Sequence, residues 1–279
     1  MQTIGKISLA LSAMTLALAA QAQIGPDPTE ASLTATAGPF ATASTKVAAP
    51  SGYGGGTVWY PTAAGKYGVV AVAPGFTEAE SAINWWGPRL ASHGYVVVTI
   101  GTKTVLDQPE SRGKQLTAAL NQVVSLAASG PFAGKVDGSK RAVAGHSMGG
   151  GGTLAAARDN PTYKAALPLA PWHTIKTWSG VKVPTMIIAC QNDVIAPVSS
   201  HAKKFYDALP ATTPKGYLEI AGEDHFCVNS NTEAANKAID GKIAVAWLKV
   251  FMDADSRYTP FIKASSPATN LSSYLTSGF

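Results

Sequence analysis

Short, almost uninterrupted apolar runs alternate along this chain with longer stretches of mixed polarity. Residues 68–73 (Gly-Val-Val-Ala-Val-Ala) and 95–100 (Tyr-Val-Val-Val-Thr-Ile) have no polar alternation, the pattern of strands covered on both faces. Residues 57–60, 141–144, 165–169, 183–189 and 217–220 are similar β-branched or apolar runs and predict further strands. Helix-length segments lie between them at 85–92, 111–128, 153–158, 199–209 and 233–252. Strands alternating with helices predict an α/β fold, with a mostly parallel central sheet flanked by helices on both faces. Right-handed crossovers then gather the loops that follow the strands along one sheet edge, where sites in such sheets assemble.

Composition narrows the class. With 279 residues, 46% hydrophobic and 14% charged, the chain can bury one generous core, and no second domain is required. The catalytic domain is expected over residues 51–262. Residues 1–22 carry Lys6, an apolar stretch from Ile7 to Ala20 and the small-residue site Ala20-Gln21-Ala22, which reads as a secretory signal peptide. The apolar stretch is too short to span a bilayer, so no membrane anchor is expected and the mature protein should be secreted. The Ala-, Thr-, Ser- and Pro-rich residues 23–50 read as a low-complexity leader lying over the surface, and 263–279 as a C-terminal tail. A formal net charge of +5 without a dense Lys/Arg run argues against nucleic acid as a partner, and the protein is expected to act as a monomer.

The chemistry concentrates at Gly145-His146-Ser147-Met148-Gly149, entered from an apolar run and followed by Gly150, Gly151 and Gly152. A serine hydroxyl becomes a useful nucleophile when a sharp strand-to-helix turn exposes it to a base, and glycines on either side let such a turn form. A strand before and a helix after supply that context. The loops after later strands hold the partners: Asp193 after Ile188, and His225 after Ile220. The order Ser, Asp, His is that of an α/β-hydrolase, in which the histidine is the base and the carboxylate orients it. Rival groups are placed elsewhere. His146 adjoins the serine and should pack or hydrogen-bond beneath the turn; Glu223 and Asp224 should be solvated; Asp207 and His201 fall within a helix pattern; His173 precedes the aspartate and could line the cleft; His93 beside Gly94 looks like helix capping.

An oxyanion hole needs two aimed donors, and the N-H of Met148 and of Phe76, in the loop Ala73-Pro74-Gly75-Phe76-Thr77, are the candidates. The Phe76 ring would also cover the cleft, although a core aromatic is the alternative. Cys190 lies three residues before Asp193, and Cys227 two after His225. In an oxidising compartment the pair suggests a disulfide, with two separate buried thiols as the alternative. Two cysteines without a nearby histidine pair make no zinc site, so no metal and no cofactor is expected.

Several motifs in register resemble bacterial polyester-hydrolysing cutinases, including the PET hydrolases: 145–152, Trp85 to Gly94, Ala170-Pro171-Trp172, Asn192 to Pro197 and Asp224-His225-Phe226. The resemblance covers about residues 52–260 and implies a lidless α/β-hydrolase with Ser147 as nucleophile, Asp193 as orienter and His225 as base. It further implies Phe76 and Met148 as oxyanion donors, with Phe76, Trp172 and Ile195 contacting substrate. Cys190 and Cys227 match the active-site disulfide of the mesophilic PET hydrolase branch, whereas Gly-His-Ser, His201, Phe205 and Phe226 resemble the cutinase side. His201 and Phe205, four apart on one helical face, should pack under Trp172 and restrict its rotation. The expected activity is cleavage of carboxylic esters, cutin-like or aromatic polyesters first. A short-chain esterase or triacylglycerol lipase, and more remotely a noncatalytic binding protein, are the alternatives.

Overall fold

A computed structural model describes residues 25–49, 52–263 and 270–279. The expected signal peptide lies outside the described residues. Nine strands form one sheet: β1 (Thr42–Val47), β2 (Gly56–Pro61), β3 (Tyr67–Ala73), β4 (Tyr95–Ile100), β5 (Val136–His146), β6 (Ala165–Leu169), β7 (Thr185–Cys190), β8 (Lys215–Ile220) and β9 (Leu271–Ser277), in the order β1-β2-β4-β3-β5-β6-β7-β8-β9. The six strands from β4 through β8 run parallel, and β1, β2 and β9 join antiparallel at the edges. The helices are α1 (Glu30–Thr34), α2 (Trp86–Ala91), α3 (Pro109–Leu126), α4 (Met148–Asp159), α5 (Ala202–Ala208) and α6 (Ala234–Met252). Among the described residues, no further α-helix is inserted between the strands.

The uninterrupted apolar runs have the expected cause. Along β3, Val69 and Ala71 face a core shared with Leu116 and Leu120 of α3 and Leu154 of α4, while Val70 and Val72 face Trp86 and Leu90 of α2 and Trp247 of α6. Both side-chain sets are buried, so a polar residue on either would sit in apolar surroundings without a partner.

The two ends of the chain differ from the reading as leader and tail. Residues 30–34 form α1, capped by Thr29, and residues 42–47 pair with β2. Leu271–Ser277 pairs with β8, and Phe279 packs edge-on against Trp247 at 5.4 Å. Thr-Ala-Ser-Thr-Lys-Val and Leu-Ser-Ser-Tyr-Leu-Thr-Ser are rich in hydroxyl side chains and half-exposed. An edge strand takes its hydrogen bonds from one neighbour and needs no two-faced burial, so its sequence carries little apolar signal.

The sheet order brings the site together. The chain passes from β3 outward to β4, then crosses back to place β5 on the other side of β3, so the loops after β3 and β5 diverge over a crevice at a topological switch point. Ala73 and Gly145 are register partners at that end, as are Cys190 and Ile220 two strands further on.

Candidate active site

Ser147 lies between the last residue of β5 and the first of α4, with φ 55° and ψ −118°. Such a conformation costs a non-glycine residue on the order of 1–3 kcal/mol and persists only where the surroundings over-determine it. They do: Ser147 N-H donates to the Leu169 carbonyl at 2.9 Å, and its own carbonyl accepts from Gly151 N-H at 3.0 Å and Trp172 N-H at 2.8 Å. The flanking glycines are required by close approach. A Cβ on Gly145 would stand 2.5 Å from the Gly149 carbonyl oxygen, and one on Gly149 would stand 2.5 Å from the carbonyl oxygens of Ala73 and Pro74. Among the described residues four non-glycines have positive φ, and three of them, Thr77, Ser147 and Ala170, sit just past the C-terminal ends of β3, β5 and β6. Backbone strain is thus concentrated at the sheet end that holds the reactive groups.

His225, in the loop after β8, places Nε2 2.8 Å from Ser147 Oγ and Nδ1 2.6 Å from Asp193 Oδ2. The other Asp193 oxygen accepts from the N-H groups of Ile195 (2.9 Å) and Ala196 (2.7 Å), so the carboxylate cannot rotate without losing both. Burial by itself would raise the Asp193 pKa, but the bond and charge of His225 and the two N-H donors outweigh it and hold the group below its ordinary value. An ionised Asp193 only accepts, so Nδ1 carries the proton and Nε2 is left with a lone pair facing the serine hydroxyl. All three residues are buried.

The loop after β3 closes against the serine: a Cβ on Gly75 would come within 2.9 Å of Ser147 Cβ. Arg112 of α3 supports this loop from below, donating to the carbonyls of Pro74 (3.0 Å), Val105 (2.9 Å) and Asp107 (2.7 Å). Phe76, Thr77, Glu78, His146, Ser147, Ile195, His225 and Phe226 enclose an open cavity of about 210 Å³. Phe76, Ile195 and Phe226 are exposed there. Trp172 joins the turn through its N-H and stacks on His201, with ring centroids 5.9 Å apart. Phe205 meets His201 edge-on at 5.7 Å. Its helical face is not shared, however: α5 begins at Ala202 and His201 is the residue before it. Burial first, then the nearby Lys176 charge, push the His201 pKa down to about 4, so a neutral ring stacks on the tryptophan.

The rival groups are accounted for. His173 is buried against Trp178 and accepts from Ile175 N-H, away from the cleft. Asp224 is exposed and Glu223 half-buried. Asp207 pairs with Lys203 on α5. His146 does sit beneath the turn, between Glu78 and the His225 carbonyl. Glu78 and Asn229 are the site groups that sequence reasoning passes over. The only signal for Glu78 is a carboxylate three residues after the turn glycine Gly75, close enough to fold back on its N-H.

Cys190 and Cys227 form a disulfide with Cα atoms 6.0 Å apart, and no cysteine is free. It ties the end of β7, just before Asp193, to the loop carrying His225. With the two cysteines 37 positions apart in sequence, loop-closure entropy predicts that Cys190→Ala/Cys227→Ala loses about 2–4 kcal/mol of stability. Thermal melting of the variant should show a fall of roughly 10 °C. An unchanged melting temperature would mean that the bridge contributes nothing to stability.

Six parallel strands with helices on both faces, and a serine on the strained turn after β5 bonded to a histidine and an aspartate from later loops, define an α/β-hydrolase. The chain belongs to the PET hydrolase-like family, whose model matches residues 17–277. It is 52% identical to Cutinase 1 of Thermobifida cellulosilytica over 240 residues, covering 85% of this chain and 89% of that one. A cutinase of Thermobifida fusca (strain YX) is 50% identical over 258 residues, 90% of this chain and 84% of its own length. The bis(hydroxyethyl) terephthalate hydrolase of Streptomyces coelicolor is 49% identical over 243 residues, 85% of this chain and 76% of its own.

Proposed function

We propose that this protein is an exported serine esterase that cleaves polyesters, aliphatic or aromatic, by two-step acyl transfer. The unbroken relay from Ser147 Oγ through His225 to Asp193, with contacts of 2.8 and 2.6 Å, carries this reading. In the first step the serine oxygen bonds to the ester carbonyl carbon while its proton passes to His225 Nε2. The oxyanion is held by the N-H groups of Phe76 and Met148, and neither donates to an acceptor among the described residues. Collapse breaks the ester C–O bond, and the proton on Nε2 goes to the departing alcohol. Water then repeats the sequence on the acyl-enzyme, its proton passing through His225 to the serine oxygen as the acid leaves. The groups used for proton transfer and charge stabilisation are all side chains and backbone of this chain.

The polymer substrate is supported by the openness and chemistry of the cleft. Phe76, Ile195 and Phe226 give it an exposed apolar wall beside the serine, which suits an extended chain lying across an open cleft. The relatives named for cutin and for bis(hydroxyethyl) terephthalate support the same class. The signal-peptide-like residues 1–22 support export, and no helix among the described residues is long and apolar enough to cross a membrane. We take the working unit to be a monomer.

Incubation with an aliphatic polyester film and with an amorphous terephthalate film should release soluble acids and esters, measured by chromatography alongside hydrolysis of a tributyrin emulsion. Tributyrin hydrolysis with no release from either film would replace the polyesterase reading by the short-chain esterase or lipase one. Inactivity on all three would favour the binding-protein reading.

A further inference from the structure

The acyl-transfer steps leave one pair beside the triad unused, a half-buried carboxylate and a buried imidazole. Glu78, on the loop after β3, accepts Gly75 N-H on Oε2 and faces His146 Nδ1 with the same oxygen at 2.8 Å. Its Oε1 accepts from Asn229 Nδ2 at 2.7 Å. His146 in turn holds Nε2 3.0 Å from the backbone carbonyl of His225, and its ring centre is 4.7 Å from the His225 ring. One carboxylate therefore joins three loops: the one that offers Phe76 N-H, the turn that carries Ser147, and the one that carries His225. Both nitrogens of His146 face acceptors, and the ring satisfies both only when each carries a proton. Burial opposes the Glu78 charge, but His146, Gly75 and Asn229 together outweigh it and bring its pKa down to about 2. A carboxylate taken out of water is costly unless it is paired and hydrogen-bonded, and Gly75, His146 and Asn229 supply those bonds here.

We infer that Glu78 and His146 are a second carboxylate–imidazole pair that positions the catalytic machinery from behind. Glu78 sets the Gly75-Phe76 turn against Ser147, and His146 holds the His225 backbone so that its ring stays between serine and Asp193. Both are positioning residues, since neither needs to touch the reacting atoms. The inference rests on the triad assigned above. His146 bonds the Glu78 carboxylate on one nitrogen while its ring lies 4.7 Å from that of His225, so the pair meets the catalytic ring through His146. The other charged or titratable groups around it are Asp193 from the loop after β7, His201 ahead of α5, Arg112 of α3 behind the β3 loop and exposed Asp224 on its own loop. Losing His146 alone leaves the Glu78 carboxylate unpaired next to His225, where it favours the imidazolium and withdraws the base. Losing both members does not.

The test is the pH dependence of kcat/KM on p-nitrophenyl butyrate for H146Q, E78Q and the double variant, with melting curves to verify folding. In H146Q the acid limb should move up by about half a pH unit or more, the size expected of one nearby unpaired charge, and E78Q/H146Q should bring it back to the wild-type position. E78Q is isosteric, and should lower kcat about tenfold with KM within twofold, as expected for a disturbed oxyanion loop. If the acid limb of H146Q stays in place, or E78Q keeps the wild-type kcat, the pair is mere packing and the inference fails. Should H146Q not fold, the E78Q split between kcat and KM decides. Ser147→Ala separates the two readings. An inactive alanine variant combined with an unmoved limb overturns the pair alone, whereas an active one removes the triad and the pair together.

Discussion

Replacing Ser147 by alanine is expected to lower kcat on p-nitrophenyl butyrate by about a millionfold, while the variant keeps its melting temperature and its KM for the ester. The size follows from what the hydroxyl does. Without Oγ no covalent acyl-enzyme can form, and His225 and Asp193 have nothing to activate in its place, so the relay loses its whole contribution and not one member's share. A residual acceleration over water from the oxyanion donors and from binding should remain. Stability should hold, because the strained conformation at φ 55° is enforced by backbone bonds to Leu169, Gly151 and Trp172 that alanine retains. Initial rates at protein concentrations set by absorbance, with an active-site phosphonate added to silence any wild-type contaminant, would measure the loss. Activity within a hundredfold of wild type would rule out Ser147 as the nucleophile.

Asp193→Asn should cost about four orders of magnitude in kcat near neutral pH, by a different route. Oδ1 of Asp193 is engaged by the N-H groups of Ile195 and Ala196, so an asparagine must point its carbonyl oxygen at those donors and its NH₂ group at His225 Nδ1. A donor facing Nδ1 makes that nitrogen the acceptor. The ring proton is then driven to Nε2, which faces Ser147 Oγ as a donor and cannot take the hydroxyl proton. Substrate contacts are untouched, so KM should change little. A loss of less than about tenfold would show that Asp193 does not set the tautomer. Asp193→Ala distinguishes the two effects: it frees both N-H donors as well, and should lower the melting temperature where the asparagine variant does not.

The legible parts of the fold are those whose signal is burial. β4 and β6 occupy the residues expected of them, 95–100 and 165–169, because a strand covered on both faces must be apolar throughout. β5 is longer than its apolar run: Val136 is buried and pairs with Tyr67 of β3, and Asp137 to Lys140 add a polar, half-exposed to exposed stretch before the run begins. The edge strands β1 and β9 were illegible for the same reason carried further, since main-chain pairing is indifferent to side-chain polarity. In the site, Ser147, Asp193 and His225 could be read because each follows a strand in a fixed chain order. Glu78 and Asn229 could not. They are 151 positions apart, and only folding brings the Asn229 amide to 2.7 Å from the Glu78 carboxylate.

By itself the sequence determined the alternation of strands and helices, the serine turn with its required glycines, and the chemical type of each relay member. These are local properties: hydrophobic periodicity, the steric demand of a tight turn, and the ionisation chemistry of three side chains. The tertiary structure alone decided which nitrogen of the His225 ring meets which partner, that Trp172 stacks on a neutral His201, and that residues 42–47 and 271–277 add edge strands to the sheet. It also decided that a glutamate from the β3 loop and a histidine from the serine turn brace the catalytic loop together. Such contacts depend on sheet order and on the crossover around β3, which place remote loops side by side. No stretch of sequence within one loop encodes which other loop it will face.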